Sequence, residues 1–181
     1  MADTYTVIAA GVALPTVSSS VKSMLSLMNG AGSGKTAKIY RVRALNNQTA
    51  AVTGVMMRIE LWRLTAASGG TTLTPIKMDS ASPAVPAQIV CATGATATND
   101  AAQTNAFIRV AWSSDEPVAS GGTIDELQTS PQLFQIWGCG YTDPEIQPIT
   151  LPENYGFQIL VTNSAATGAG VIDLEVEFTL E

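Results

Sequence analysis

The stretch Val171–Leu180, which reads VIDLEVEFTL, decides the fold class of this chain. Its apolar residues alternate one by one with polar ones: Ile172, Leu174, Val176, Phe178 and Leu180 against Asp173, Glu175, Glu177 and Thr179. A period of two places the apolar side chains on one face of a β-strand and the polar side chains on the other. The stretch therefore predicts a half-buried antiparallel strand.

Nine further strand-like runs precede it, separated by turn signals such as Asn29-Gly30 and Gly69-Gly70. They are residues 5–10, 21–28, 37–46, 54–65, 71–77, 87–93, 106–113, 133–138 and 155–163. Residues 18–28 are the best helical candidate, and their periodicity is ambiguous. Roughly ten short strands with little helix predict an all-β fold, an antiparallel β-sandwich of the jelly-roll or Greek-key kind.

No repeat or linker divides residues 1–181, so we expect a single domain. Residues 1–20 form either an extended N-terminal arm or an ordinary first strand. Residues 94–104 and 113–130 are predicted to be long surface loops, and residues 164–170 (SAATGAG) a shorter one.

Two neighbouring runs, residues 37–46 (AKIYRVRALN) and 54–65 (GVMMRIELWRLT), alternate in the same way. In the first run the alternation places Ile39 on one face with the two arginines and Val42 on the other. The connector that starts at Asn46 predicts that the two runs pair as a long hairpin. That hairpin would bring Glu60 close to some of the neighbouring cations, which are Arg41, Arg43, Arg58 and Arg63.

The composition excludes most common enzyme chemistry. The chain has 181 residues, 46% of them hydrophobic and 13% charged, with two cysteines and no histidine. Without histidine there is no imidazole base, no His-ligated zinc and no Ser-His-Asp or Cys-His machinery. A pI of about 4.5 and the lack of a Lys/Arg cluster argue against a nucleic-acid partner. No apolar run is long enough for a membrane span, and residues 7–17 lack the basic flank of a signal peptide.

The charges are divided unevenly between the two parts of the chain. Residues 1–77 hold eight basic and two acidic side chains, whereas residues 78–181 hold one basic and thirteen acidic ones. In one interpretation the two parts interleave and their charges meet on the faces of one domain. In the other, the subunit is bipolar and its basic side docks on an acidic neighbour.

Residues 29–36 (NGAGSGKT) are similar to a phosphate-binding P-loop. That motif requires a glycine at position 29, where this chain has Asn29, and a helix after the loop, where the pattern predicts a strand. A flexible glycine turn is therefore favoured over nucleotide binding.

The other side chains that could take part in catalysis or ligand binding are acids, cysteines and tryptophans, and they are not predicted to do so. Acid pairs occur at Asp115-Glu116, Asp125-Glu126 and Asp143/Glu145 without the spacing of a calcium loop or a glycosidase pair. Cys91 and Cys139 are predicted to be buried and unpaired, with a single disulfide as the alternative. Three tryptophans are predicted to pack in the core or between subunits: Trp62, Trp112 and Trp137. We therefore predict no catalytic, cofactor-binding or metal-binding residues and no cofactor.

Several segments resemble small β-rich virion proteins of tailed bacteriophages. They are residues 40–55 (YRVRALNNQTAAVTGV), 61–77 (LWRLTAASGGTTLTPIK), 79–90 (DSASPAVPAQIV), 112–117 (WSSDEP) and 156–181. The resemblance covers about half of the chain and implies a capsid decoration or cement protein, a sandwich that trimerises or bridges major capsid subunits.

The resulting expectation is a non-enzymatic virion structural protein that binds the major capsid protein and copies of itself, with a homotrimer favoured. Nucleic acid and membrane are not expected partners. A phage tail, collar or fibre component and a carbohydrate-binding jelly roll that uses exposed tryptophans are the alternatives.

Overall fold

A computed structural model describes residues 3–15, 21–46, 53–103, 105–114, 133–139, 146–167 and 171–181. Within these ranges the chain forms thirteen strands and no helix. The strands are β1 Asp3–Ala13, β2 Val21–Asn29, β3 Ala37–Asn46, β4 Thr53–Ser68, β5 Thr71–Leu73, β6 Ile76–Lys77, β7 Ile89–Thr93, β8 Thr96–Asn99, β9 Ile108–Ser114, β10 Leu133–Gly138, β11 Ile149–Leu151, β12 Tyr155–Thr167 and β13 Val171–Leu180.

The strands form two antiparallel sheets that pack face to face, which confirms the predicted all-β sandwich. Sheet A has the order β10-β3-β13-β1-β6. Strand β11 also pairs with β3, along residues 37–39, whereas β10 pairs along residues 41–45. Sheet B has the order β5-β7-β2-β12-β4-β8, and β9 pairs with β4. The central strand of sheet A is β13, the strand with the alternating sequence VIDLEVEFTL.

The core lies between the two sheets and includes the apolar face of β13. Its five alternating apolar residues are all buried, whereas Asp173, Glu175 and Glu177 on the other face are partly exposed. Phe178 stacks on Tyr5 of β1 with ring centroids 5.5 Å apart. The Tyr5 hydroxyl donates a hydrogen bond of 3.0 Å to the Pro83 carbonyl, which satisfies the polar end of a buried ring. Burial also raises the pKa of Tyr5.

The predicted hairpin of residues 37–46 and 54–65 is wrong. The chain changes sheet between these runs, so β3 pairs with β13 in sheet A and β4 pairs with β12 in sheet B. The predicted faces of β3 also fail, because Ile39 and Val42 are both buried. The register shifts in this part of the β3–β13 pairing, and such a bulge moves the following residues to the other face.

Three smaller predictions also need correction, and one strand was not predicted. Residues 71–77 are not one strand, because Pro75 lies between β5 in sheet B and β6 in sheet A. Residues 94–104 are not wholly loop, since β8 forms within them and pairs with β4. Residues 164–167 belong to β12 rather than to a loop, and β11 had no sequence signal. Among the other ambiguous segments, residues 21–29 are a strand and not a helix, and Asp3–Ala13 is a strand of sheet A.

Sheet B curls over its own outer face. Its first strand, β5, follows its fifth, β4, after only Gly69 and Gly70. In a flat sheet those strands would lie about 19 Å apart, whereas the link from Ser68 to Thr71 reaches about 11 Å. The two-residue link between β7 and β8 imposes the same constraint. The far end of β4, which extends past the start of β12 and pairs with β8, therefore bends across the sheet.

The curl buries polar side chains on the outer face of sheet B. Ser26 and Gln158 lie opposite each other in the register and are 2% and 3% exposed. Gln158 donates from Nε2 to Asn99 Oδ1 on β8 at 2.7 Å, and Ser26 Oγ donates to the Ala92 carbonyl at 3.3 Å. These bonds satisfy groups that would otherwise oppose burial.

Candidate functional site

The glycine loop, residues 30–36, connects β2 with β3 and holds a carboxylate from the same chain. The amide of Gly34 donates to Glu153 Oε1 at 2.6 Å, and the amide of Gly32 donates to Oε2 at 3.3 Å. Both glycines have positive φ, at 63° and 78°, a region that glycine enters without strain. These hydrogen bonds lower the pKa of Glu153.

Asn29, which breaks the P-loop pattern, has its own structural task. Its side chain is fully buried, and Nδ2 donates to the carbonyls of Lys35 and Leu151 at 2.8 and 3.0 Å. The loop leads from one strand into another, as the predicted glycine turn requires. The loop amides of Gly32 and Gly34, which could bind an anion, bind the Glu153 carboxylate of the same chain.

Charged side chains form a ladder on the outer face of sheet A. Arg43 Nη2 lies 2.7 Å from both Glu175 Oε1 and Glu177 Oε1, and Arg41 Nη1 lies 3.1 Å from Glu177. Lys38 pairs with Glu181 at 2.5 Å. In each pair a cation from β3 meets an acid from the C-terminal part of the chain, which supports the interpretation that the two parts interleave.

Glu60 does not pair with Arg41, Arg43 or Arg63. Its Oε1 atom lies 3.0 Å from Arg58 Nε on the same strand and 2.9 Å from Arg109 Nε on β9. The Trp62 indole donates to the other carboxylate oxygen at 3.1 Å. Arg63 instead donates to the Thr150 carbonyl of sheet A at 2.9 Å.

The cysteines and tryptophans have packing roles where the structure describes them. Cys91 and Cys139 are buried and unpaired, as predicted. Burial raises the pKa of the Cys91 thiol to about 12, which leaves it protonated and unreactive at neutral pH. Trp137 packs against the core, and Trp62 is partly buried. The side chain of Trp112 lies outside the described structure.

The predicted acid pairs at 115–116, 125–126 and 143/145 lie outside the described residues, as does the predicted loop after Ser114. Within the described ranges, no three His, Cys, Asp or Glu side chains come together as a metal site would require. The same ranges contain no helix of the length and apolarity needed to cross a membrane.

The most distinctive surface is apolar and lies where the edges of the two sheets meet. Strands β5 and β6 are the end strands of sheets B and A, and only Thr74 and Pro75 separate them. A groove of about 430 Å³ runs beside them, lined mainly by apolar side chains that include Leu73, Pro75, Val85, Pro86 and Ile89. We call this groove and its exposed neighbours the edge surface.

Three large apolar side chains of the edge surface are exposed to solvent. Ile76 is 54% exposed, Met78 59% and Val90 44%. The sequence did not predict this cluster: Ile76 was placed in a single strand over residues 71–77, and Met78 just after it was assigned to no element. A sheet edge with exposed apolar groups and unpaired backbone positions is suited to contact with another protein.

Comparison of the chain with protein-family models, with curated proteins and with solved structures found no match.

Proposed function

We propose that this chain is a non-enzymatic structural subunit of a phage virion, a capsid decoration or cement protein that binds the major capsid protein and copies of itself. The edge surface is the observation that carries the proposal. Its exposed apolar groups, Ile76, Met78 and Val90, lie on or beside β5 and β6, which are end strands of the two sheets in the part of the chain that the structure describes. The segments that resemble tailed-phage virion proteins support the virion location.

The rest of the molecule suits such a role. Ion pairs within the chain occupy three cations of sheet A, Lys38, Arg41 and Arg43, so that face offers few free charges to a partner. Binding through the edge surface would combine apolar burial with backbone pairing along β5 or β6. Many copies on a symmetric shell would then add their weak contacts by avidity.

Light scattering after size exclusion tests the self-association. The wild-type chain is expected to form an oligomer, with a trimer favoured, and the double variant Ile76→Ser, Met78→Ser is expected to be a monomer. Val21→Ser is the matched control, because Val21 is as exposed as Met78, at 59%, but lies on β2 outside the edge surface. Equal dissociation by the control would contradict the assignment of the edge surface.

Co-sedimentation tests the virion location. The chain is expected to sediment with tailed-phage heads that lack their decoration proteins, and the edge double variant is expected to stay in the supernatant. Binding to purified tails instead of heads would favour the tail, collar or fibre alternative. A monomeric chain that binds neither, and whose tryptophan fluorescence shifts with a glycan, would replace the proposal by the carbohydrate-binding alternative.

A further inference from the structure

Two arginines on the outer face of sheet B are held side by side around one buried carboxylate. Arg58 and Glu60 are two residues apart on β4 and therefore share a face, and Arg109 of β9 lies directly opposite Glu60. The Nε atoms of both arginines lie within 3.0 Å of Glu60 Oε1. Glu60 is 5% exposed, whereas the arginine side chains are 57% and 54% exposed.

Within the described residues, each of these arginines makes one ion pair, from its Nε atom to Glu60. The two Nε atoms touch Glu60 Oε1 as ion pairs, yet that buried oxygen accepts no hydrogen bond in the described structure. Within the described residues, no other acceptor or acid is bound to Arg58 or Arg109. The residues opposite Arg58 on the two flanking strands are Ala111 of β9 and Thr162 of β12, and both have short side chains.

The arginines of sheet A provide the contrast. There the two guanidinium groups, Arg41 and Arg43, face two carboxylates and are only 20% and 21% exposed. On sheet B two cations share one carboxylate, which leaves a local net charge of one positive unit on a chain whose net charge is −6. Among the residues that the structure describes, acids therefore balance the charge of the sheet A set but not that of the sheet B set.

We infer that Arg58 and Arg109 form a binding site for an oxyanion, a phosphate, sulfate or carboxylate group, and that Glu60 positions them. A guanidinium presents a planar fork of N–H donors that matches two oxygens of such a group. Glu60 supplies the anchor that holds both forks on one face, and Trp62 fixes the other carboxylate oxygen by its indole N–H. The ligand sits over the exposed Nη atoms, away from the Glu60 carboxylate.

The test is a titration of the full chain with inorganic phosphate, sulfate and acetate, each compared with chloride at the same ionic strength. Side-chain NMR signals of Arg58 and Arg109 are expected to shift and saturate with at least one oxyanion and not with chloride. The oxyanion that saturates at the lowest concentration identifies the preferred group. Shifts that do not saturate, or that chloride reproduces, would overturn the inference.

Variants distinguish recognition by the planar guanidinium donors from attraction by positive charge alone. Replacing both arginines by lysine (R58K, R109K) keeps the charge but removes the planar donors, and should weaken oxyanion binding about tenfold or more. Lys22→Gln, which removes one cation from β2 of the same sheet, should leave binding unchanged. Unchanged binding in the double lysine variant would contradict the site. The outcome does not depend on the proposed virion function, because the edge surface involves none of these residues.

Discussion

At the scale of single residues, Glu153 shows that a loop motif can reveal an anion-binding geometry without revealing which anion it binds. The glycine loop is visible in the sequence, and its likeness to an anion-binding motif is physically sound, because its amides do hold an anion. The carboxylate, whose Oε1 accepts a hydrogen bond from the Gly34 amide, belongs to a residue 119 positions further along the chain, and local spacing carries no signal for it. The result is an internal clasp that fastens the β2–β3 loop to the turn before β12.

We predict that Glu153→Gln lowers the thermal stability near neutral pH and that its difference from the wild type disappears in acid. The folded-state pKa of Glu153 lies below its ordinary value of 4.5, so the carboxylate stabilises the fold above that value. This stabilisation is lost as the pH falls through the lowered pKa. Thermal denaturation at pH 7 and at about pH 3 measures the difference.

Asp100→Asn is the control for Glu153. The Asp100 carboxylate accepts a hydrogen bond of 3.0 Å from the amide of Ala102, but it caps only its own turn. Its replacement removes the same charge without releasing two loops from each other. An equal loss of stability in both variants would show that the clasp adds nothing beyond a local cap.

At the scale of strands and turns, the sequence predicted which residues are extended far better than how the strands pair. The alternation in Val171–Leu180 is a local property, so both the strand and its buried face were predictable. Pairing depends on where the chain changes sheet. Nothing in the run 37–46 signals that change of sheet. Nothing in it signals the bulge that buries both Ile39 and Val42 either.

The glycine pair between β4 and β5 provides a prediction at this scale. Both residues have positive φ, at 69° for Gly69 and 81° for Gly70. A Cβ atom on Gly70 would lie 2.3 Å from the Thr93 carbonyl oxygen and 2.8 Å from the Ala95 amide, whereas one on Gly69 would meet nothing within 4 Å. We expect Gly70→Ala to lower the free energy of unfolding by about 3 kcal/mol, because backbone strain and overpacking add.

Gly69→Ala is the matched variant, with an expected loss of about 1 kcal/mol from the positive φ alone. Urea denaturation of the two variants measures the difference. Equal losses would mean that the curled part of sheet B relaxes around the added methyl group, and that the close approach of the β4–β5 link to β7 is not a tight constraint.

At the scale of the whole molecule, the topology brings several charges from the two parts of the chain together. Lys38, Arg41 and Arg43 find their acids on or beside β13, and the single cation of the second part, Arg109, meets Glu60 of the first. The positions of the charges in the sequence show that basic residues precede most of the acidic ones. They do not show that β3 and β13 are neighbours, which depends on contacts far apart in sequence.

This pairing leads to a prediction for assembly. If the edge surface joins the subunits, the oligomer should persist when the salt concentration rises from low to about 1 M, where the Debye length falls to roughly 3 Å. Apolar contacts are not screened, and the charges of the sheet A ladder are already paired within the chain. Light scattering across the salt series is the measurement, and dissociation at high salt would instead favour docking between unlike charges.

The pairing of β1 with β13 has a consequence for how the protein is made. Asp3 lies opposite Leu180, and β13 stands between β1 and β3 in sheet A. While the ribosome is still translating the residues before β13, sheet A lacks its central strand, and β1 and β3 have no common partner. A nascent chain halted at that stage would expose two aggregation-prone edges to chaperones and proteases. Sheet A can therefore be completed only after β13 has been synthesised.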